Sequence, residues 1–239
     1  MSLDARHARL WQRLGLGPAW VGRTAPAPGA DREPSDSGEA RERAVAGMGW
    51  GDLEQAVAAC TACGLCKTRT NTVFGVGSRE SKWMVIGEAP GAEEDLRGEP
   101  FVGQAGRLLD SMLAAAGLGR SASGASAVYI ANVVKCRPPA NRNPEPEEAA
   151  RCEPFLRRQI ELLRPRMILL LGRVAAQSVL GSDASIASLR GRAHRIDLAG
   201  LSVPVIVTYH PAYLLRNLAD KAKVWADLCL AREAFDQSP

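Results

Sequence analysis

The chain has 239 residues, 46% of them hydrophobic, and a formal net charge of +4. That length builds one large domain, or one domain with an appendage, and the apolar share fills a sizeable core. No apolar run approaches the ~18–20 residues of a membrane span, and the N-terminus lacks the apolar stretch and cleavage site of a secretion signal, so a cytoplasmic location without membrane attachment is expected.

Residues 1–50 read as an N-terminal extension. Leu10, Trp11 and Leu14 suit a short amphipathic helix, and residues 24–39, rich in Pro, Ala, Gly, Ser and Asp, suit a flexible linker. The extension is either a tail without a role or a segment that binds a protein partner. Residues 51–239 read as the folded domain. A helix from Leu53 to Ala59 leads into Cys60-Thr61-Ala62-Cys63. Trp83 to Ile86 is a short buried strand that runs into Gly87-Glu88-Ala89-Pro90-Gly91. Leu108, Leu109, Met112 and Leu113 recur at helical spacing within 104–116, and Gly117 suits the cap. Val128 to Ala131 is a second strand. Residues 146–151 and 154–163 suit two helices, with Pro154 opening the second. Met167 to Leu171 is a third strand, followed by a helix near 174–180. Val203 to Thr208 is a fourth strand, and a last helix covers about 221–235.

Short apolar strands alternating with helices predict an α/β fold: a three-layer α/β/α sandwich around a mostly parallel four-stranded sheet. Ligands in such sheets bind beyond the carboxyl ends of the strands. The segments there are G-E-A-P-G, N-V-V-K-C-R-P-P and H-P-A-Y-L-L-R, so the unusual residues collect where a site is expected.

Cys60 and Cys63 form a C-x-x-C pair, Cys136 lies far downstream, and Cys152 follows after fifteen further residues. In a reducing compartment such a set holds metal more often than it forms disulfides, and four thiolates suit a [4Fe–4S] cluster or zinc. Cys66 makes a second C-x-x-C spacing with Cys63. Among the three histidines, His210 follows a strand and precedes Pro211, a position that suits a structural hydrogen bonder or an acid–base group. Glu88 sits in a Gly/Pro turn at another strand end, as a solvated turn carboxylate or as a catalytic one. Phe101 is either a core residue or a stacking platform for a flat ring. Asn132, at the end of the second strand, either caps a turn or reads a base edge with its paired donor and acceptor.

Taken together, these motifs resemble the family 4, iron–sulfur branch of the uracil-DNA glycosylases. The matching residues are C-T-A-C (60–63), F-G-V-G (74–77), G-E-A-P-G-A-E-E-D (87–95), P-F-V-G-Q-A-G-R-L-L (100–109), N-V-V-K-C-R-P-P (132–139), N-R (141–142), Cys152 and H-P-A-Y-L-L-R (210–216). They span residues 53 to 232 or so. The resemblance implies excision of uracil from single- or double-stranded DNA by a monomer that flips the base out, leaving an abasic site. It implies catalytic Glu88 and His210, uracil contacts from Ala89, Phe101 and Asn132, and supporting roles for Glu94 and Asn141. It implies a structural [4Fe–4S] cluster on Cys60, Cys63, Cys136 and Cys152, leaving out Cys66 and Cys229. In the last loop Leu214 or Leu215 is the candidate wedge into the vacated base stack, and Arg216, Arg190 and Arg192 are candidate phosphate contacts. A related branch bonds covalently to the abasic sugar through a histidine-bearing loop. The corresponding stretch here, R-P-P-A-N-R-N-P, has no histidine, so turnover is expected. Competing readings are a non-catalytic DNA-binding or redox-sensing module, and a zinc-bound adaptor working through the N-terminal segment.

Overall fold

A computed structural model describes residues 36–237, with side chains from residue 40. The expectations for residues 1–35 lie outside the described residues. The linker expected to reach residue 39 instead gives way to a helix, α1, at Asp36–Ala46. Helix α2, Trp50–Ala58, follows. Val45 of α1 is buried in a cluster with Leu53, Val57, Phe74 and Phe155.

The sheet has six strands rather than the four expected. They are β1 (Val76–Gly77), β2 (Trp83–Gly87), β3 (Val128–Asn132), β4 (Met167–Leu171), β5 (Ala193–Leu198) and β6 (Leu201–Thr208), in the order β1-β3-β2-β4-β6-β5. The inner four run parallel and are the four predicted. The edge strands β1 and β5 pair antiparallel with β3 and β6. Both extra strands lack the apolar run that marks a buried strand. β1 has two residues, and β5 alternates exposed and half-buried positions along a charged sequence, A-H-R-I-D-L, as an edge strand does.

Each inner strand is apolar throughout because both faces are covered. Met84, Ile86, Tyr129, Ala131, Ile168, Leu170, Val205 and Val207 meet Leu156, Ile160 and Leu163 of α5 (Pro146–Leu163) and Ala175 and Ala176 of α6 (Arg173–Leu180). The alternate residues, among them Val85, Ile130, Leu169 and Ile206, meet α4 (Gln104–Ala115; α3 is the short helix Ala92–Arg97) and, at the C-terminus, Val224, Leu228, Ala231 and Phe235 of Lys221–Gln237. That last helix is α9, after the single turns α7 (Ile186–Leu189) and α8 (Pro211–Leu214). The segment expected as two helices is one, α5, running through Pro154. The fixed φ of proline fits a helix; what is lost is one N–H bond, while Phe155, Leu156 and Gln159 just beyond it are buried.

From β2 the chain moves to β3 on one side, then crosses to β4 on the other. The segments after β2 and β4 therefore part at the carboxyl edge, where such sheets bind ligands. Parallel register pairs Gly87 with Asn132, and two further bonds, from Val133 N to Gly87 O and from Val134 N to Glu88 O, extend the pairing past the strand ends. These bonds hold Glu88 beside the segment that begins at Asn132.

Candidate active site

Gly87 is the floor of a narrow slot. A Cβ there would lie 2.5 Å from Asn132 Oδ1 and 2.5 Å from the Phe101 ring. Only glycine leaves that space open, so the amide and the ring converge on one small volume. Asn132 is 2% exposed, and its Oδ1 is buried with no hydrogen-bond partner. A buried acceptor left unpaired costs about 1–3 kcal/mol, and such groups mark places where a ligand supplies the missing donor. The Asn132 backbone is itself fixed: its carbonyl accepts from the buried Lys135 Nζ at 2.8 Å, and Lys135 also donates to Gln159 Oε1 at 2.6 Å. Phe101 has φ 56°, a left-handed conformation costly for an aromatic residue. Arg120 holds it there by donating to the Phe101 and Pro100 carbonyls at 2.8 and 2.9 Å.

His210 borders the same slot, its ring centre 5.5 Å from that of Phe101 and tilted by 31°. It is the N-cap of α8, and its Nδ1 accepts from Ala212 N at 3.2 Å. With Nδ1 as acceptor, the ring proton sits on Nε2, which is left to donate. The residue is partly buried, protein packs around the ring, and this desolvation pushes its pKa down to about 4 against the pull of Glu94. His210 is therefore a neutral donor at ordinary pH. Gly172, at φ 88°, lets β4 turn away beneath it: a Cβ there would stand 3.0 Å from His210 Cβ. Glu88 is half-buried. Burial pushes its carboxyl above the ordinary range, and the Arg173 guanidinium pulls it part of the way back.

Glu94 does not face the slot as a reacting group. Its carboxylate accepts from the backbone N–H of Gly91 at 3.1 Å, Val102 at 2.9 Å and Gly103 at 3.1 Å. It ties the turn after β2 to the turn carrying Phe101. Asp95, 2% exposed, similarly accepts from Thr70 N and Asn71 N, joining that turn to the segment after the first cysteines. Ala89 packs half-buried at the edge of the core. Asn141 is exposed, with φ 54°, and accepts from Arg137 Nε at 2.7 Å. Among the described residues nothing joins it directly to Asn132, Phe101 or His210. Arg173, Lys135 and Gly172 escaped the sequence reading, because their roles depend on which strand ends become neighbours.

The last segment sorts the DNA-facing candidates. Leu214 is 1% exposed and belongs to the core, whereas Leu215 is 42% exposed and Arg216 is exposed. Arg190 is committed elsewhere. Its Nε and Nη2 donate to the buried Asp227 carboxylate at 3.0 and 2.7 Å, and its guanidinium lies over the Tyr209 ring. Freeing it would leave that carboxylate buried without its partner, so Arg190 is removed from the candidate phosphate contacts. Arg192 stays exposed.

Cys60, Cys63, Cys66, Cys136 and Cys152 line one cavity together with Arg41, Arg69 and Lys135. Arg41 Nη2 donates to Cys60 Sγ at 3.3 Å, Arg69 Nη1 to Cys136 Sγ at 3.0 Å, and Lys135 N to Cys152 Sγ at 3.3 Å. Burial pushes the Cys152 thiol up to about 11 and raises Cys63 and Cys136. Among the described residues no three His, Cys, Asp or Glu side chains stand in metal-holding geometry. The donor set still fits a cluster. The sulfurs come from segments distant in sequence, and two guanidiniums and a backbone N–H already point at three of them, as donors do around thiolate-bound iron.

A family model described as the uracil DNA glycosylase superfamily matches residues 74–229. The chain is 46% identical over 168 residues to a type-4 uracil-DNA glycosylase of Archaeoglobus fulgidus, covering 69% of this chain and 82% of that one. To a type-4 uracil-DNA glycosylase of Thermotoga maritima it is 45% identical over 172 residues, covering 72% and 85%. A type-5 uracil-DNA glycosylase of Pyrobaculum aerophilum is 34% identical over 151 residues, covering 59% and 66%. No helix among the described residues is long and apolar enough to cross a membrane.

Proposed function

Since this chain belongs to the uracil-DNA glycosylase superfamily, and within it to the type-4 enzymes, we propose that it hydrolyses the N-glycosidic bond of uracil in DNA and leaves an abasic site for repair. The observation that carries the reading is the unpaired, buried Asn132 Oδ1 beside the Phe101 ring, over a floor that only glycine leaves open. Uracil is flat and carries a donor at N3 next to an acceptor at O4. Asn132 accepts from N3–H and donates to O4, while Phe101 stacks on the ring and Ala89 limits the space. Cytosine presents the reverse pattern and would leave the amide unpaired, the kind of mismatch that gives large discrimination. A base within a duplex cannot reach this slot, so it is flipped out at a cost of a few kcal/mol. Leu215 fills the gap, while Arg216 and Arg192 hold phosphates.

The C1′–N1 bond breaks with its electron pair passing to the ring, where charge gathers on O2. The neutral His210 donates Nε2–H to that oxygen and transfers no proton, a preorganised donor of the oxyanion-hole type. The sugar left behind has oxocarbenium character. Glu88 stabilises it, orients a water molecule and accepts its proton as the water adds to C1′. The departing uracil then takes a proton from solvent. Nothing in 137–144 offers a side chain suited to trapping the sugar, so the enzyme turns over.

The four cysteines Cys60, Cys63, Cys136 and Cys152 hold a [4Fe–4S] cluster, which supplies no step of the hydrolysis. It fastens the segment before Asp95's partners to the segment after Asn132.

An oligonucleotide with a single uracil, treated with the protein and then with alkali, tests the activity. After wild-type protein the alkali cuts the strand at the uracil position, and His210→Ala lowers the rate of base release by about 100- to 1000-fold, the usual loss for one such donor. Intact strands after incubation with folded, brown protein would overturn the activity.

A further inference from the structure

The proposed cluster has a second set of contacts in the part of the chain before residue 74, where the superfamily model begins to match. Helix α1 carries Arg41 and Val45 four residues apart, on one face. Val45 is buried against Leu53, Val57 and Phe155. Arg41 lies over the Phe155 ring, 4.6 Å from its centre, and Glu42 pairs with Arg157 of α5 at 3.7 Å. The helix is thus docked on α2 and α5, and its arginine forms part of the wall of the cysteine cavity.

Within that wall Arg41 is only half satisfied. Nη2 donates to Cys60 Sγ at 3.3 Å, but Nε–H is buried and has no acceptor. A guanidinium is always charged and cannot shed the unpaired proton. Its partners are the Cys60 sulfur and the Phe155 ring; the carboxylate that lines the cavity, Glu148, is engaged by Arg142 and the Glu145 N–H. An iron–sulfur cluster, unlike a single zinc ion held by the same thiolates, adds bridging sulfides, which accept hydrogen bonds and so tune and steady the cluster.

We propose that α1 is a clamp for the cluster and that Arg41 grips it with two donors: Nη2 on the Cys60 thiolate and Nε on a bridging sulfide. Arg69 likewise donates to the Cys136 sulfur. The inference rests on the [4Fe–4S] reading given above. Outer contacts of this kind typically change metal retention by 10- to 100-fold. Arg41 touches neither uracil nor the reacting sugar, so its effect is on the lifetime and vibrational signature of the cluster rather than on the chemistry.

The test compares full-length wild type with Arg41→Met, which keeps an unbranched stem on Phe155 but removes every donor, and with Val45→Ala, which loosens the helix and leaves Arg41 intact. Iron release to a chelator is followed by loss of the brown absorbance, and the bridging Fe–S stretches are read by resonance Raman. Arg41→Met is expected to release iron about tenfold faster and to shift the bridging stretches. Val45→Ala, which keeps both donors on a loosened helix, is expected to shift those stretches less than Arg41→Met. A brown Arg41→Met protein with wild-type release and stretches would overturn the clamp while leaving the cluster reading intact. A colourless wild-type protein carrying zinc would overturn the cluster reading itself, and the clamp with it.

Discussion

At the scale of single residues, protonation and pairing decide the proposed chemistry. His210 is neutral above about pH 4, so over ordinary pH its donor is always present and it contributes no limb to a rate profile. Glu88 does. In the proposed role it must be ionised to take a proton from water, and burial has moved its carboxyl upward while Arg173 restrains the shift. The rate therefore rises with pH through the raised Glu88 value, and the acid limb lies above the usual carboxylate range. Removing the restraint moves it further: in Arg173→Ala the limb is expected at higher pH, with the plateau rate changed less than its midpoint. A single-turnover pH profile checks this, and an unmoved limb would separate Arg173 from Glu88. Glu88, His210 and Asn132 stand out in the sequence because each lies in an ordered motif at a strand end, and Phe101 because it lies in one just before a helix. The tautomer of His210 and the role of Arg173 were not, since both follow from a cap bond and a neighbouring strand that no spacing encodes.

At the scale of elements, the slot exists because turns from different strands are tied together. Glu94 is the tie, accepting three backbone N–H bonds from two turns. Glu94→Gln keeps the shape, but its amide nitrogen cannot accept, so at least one N–H loses its partner. A loss of about 1–3 kcal/mol in stability is expected, read as a lower unfolding midpoint, together with a raised KM as the Phe101 turn loosens. An unchanged KM would show that the turn holds its place without this carboxylate. The four inner strands were legible because burial on both faces makes each a continuous apolar run. The edge strand β5 was not, because it needs no such run and its sequence, A-H-R-I-D-L, is charged and only half-buried. Pro154 misled in the opposite direction: it suggests a break, yet the helix continues, since buried Phe155, Leu156, Gln159 and Ile160 beyond it hold the register. The two leucines of the last segment look equivalent in sequence, and only the packing against α4 and α9 separates the core Leu214 from the exposed Leu215.

At the scale of the whole molecule, two connections join the cysteine cavity to the slot. Asp95 fastens the segment after the first cysteines to the turn bearing Glu88 and Glu94, and Lys135, beside Cys136, holds the Asn132 carbonyl. Losing the proposed cluster is therefore expected to loosen the site as well as the fold. Cys136→Ser should lose its brown colour and its stability together, measured as iron content and unfolding midpoint on the same sample. A colourless variant of wild-type stability would reduce the cluster to an ornament of this fold. The spacing of the cysteines stands out in the sequence, although the cavity takes in Cys66 beside the four singled out; the arginines around them do not, because Arg41 and Arg69 gain meaning only when α1 and the segment after α2 fold over the same cavity.

The most direct test of the central claim is the single-turnover release of base from matched oligonucleotides carrying uracil or cytosine, by wild type and by Asn132→Ala. Wild type is expected to release uracil and not cytosine, and Asn132→Ala to slow uracil release by about 100-fold, a loss of roughly 3 kcal/mol of paired hydrogen bonding. Wild-type rates from Asn132→Ala would contradict it, because the buried acceptor would then have no part in reading the base.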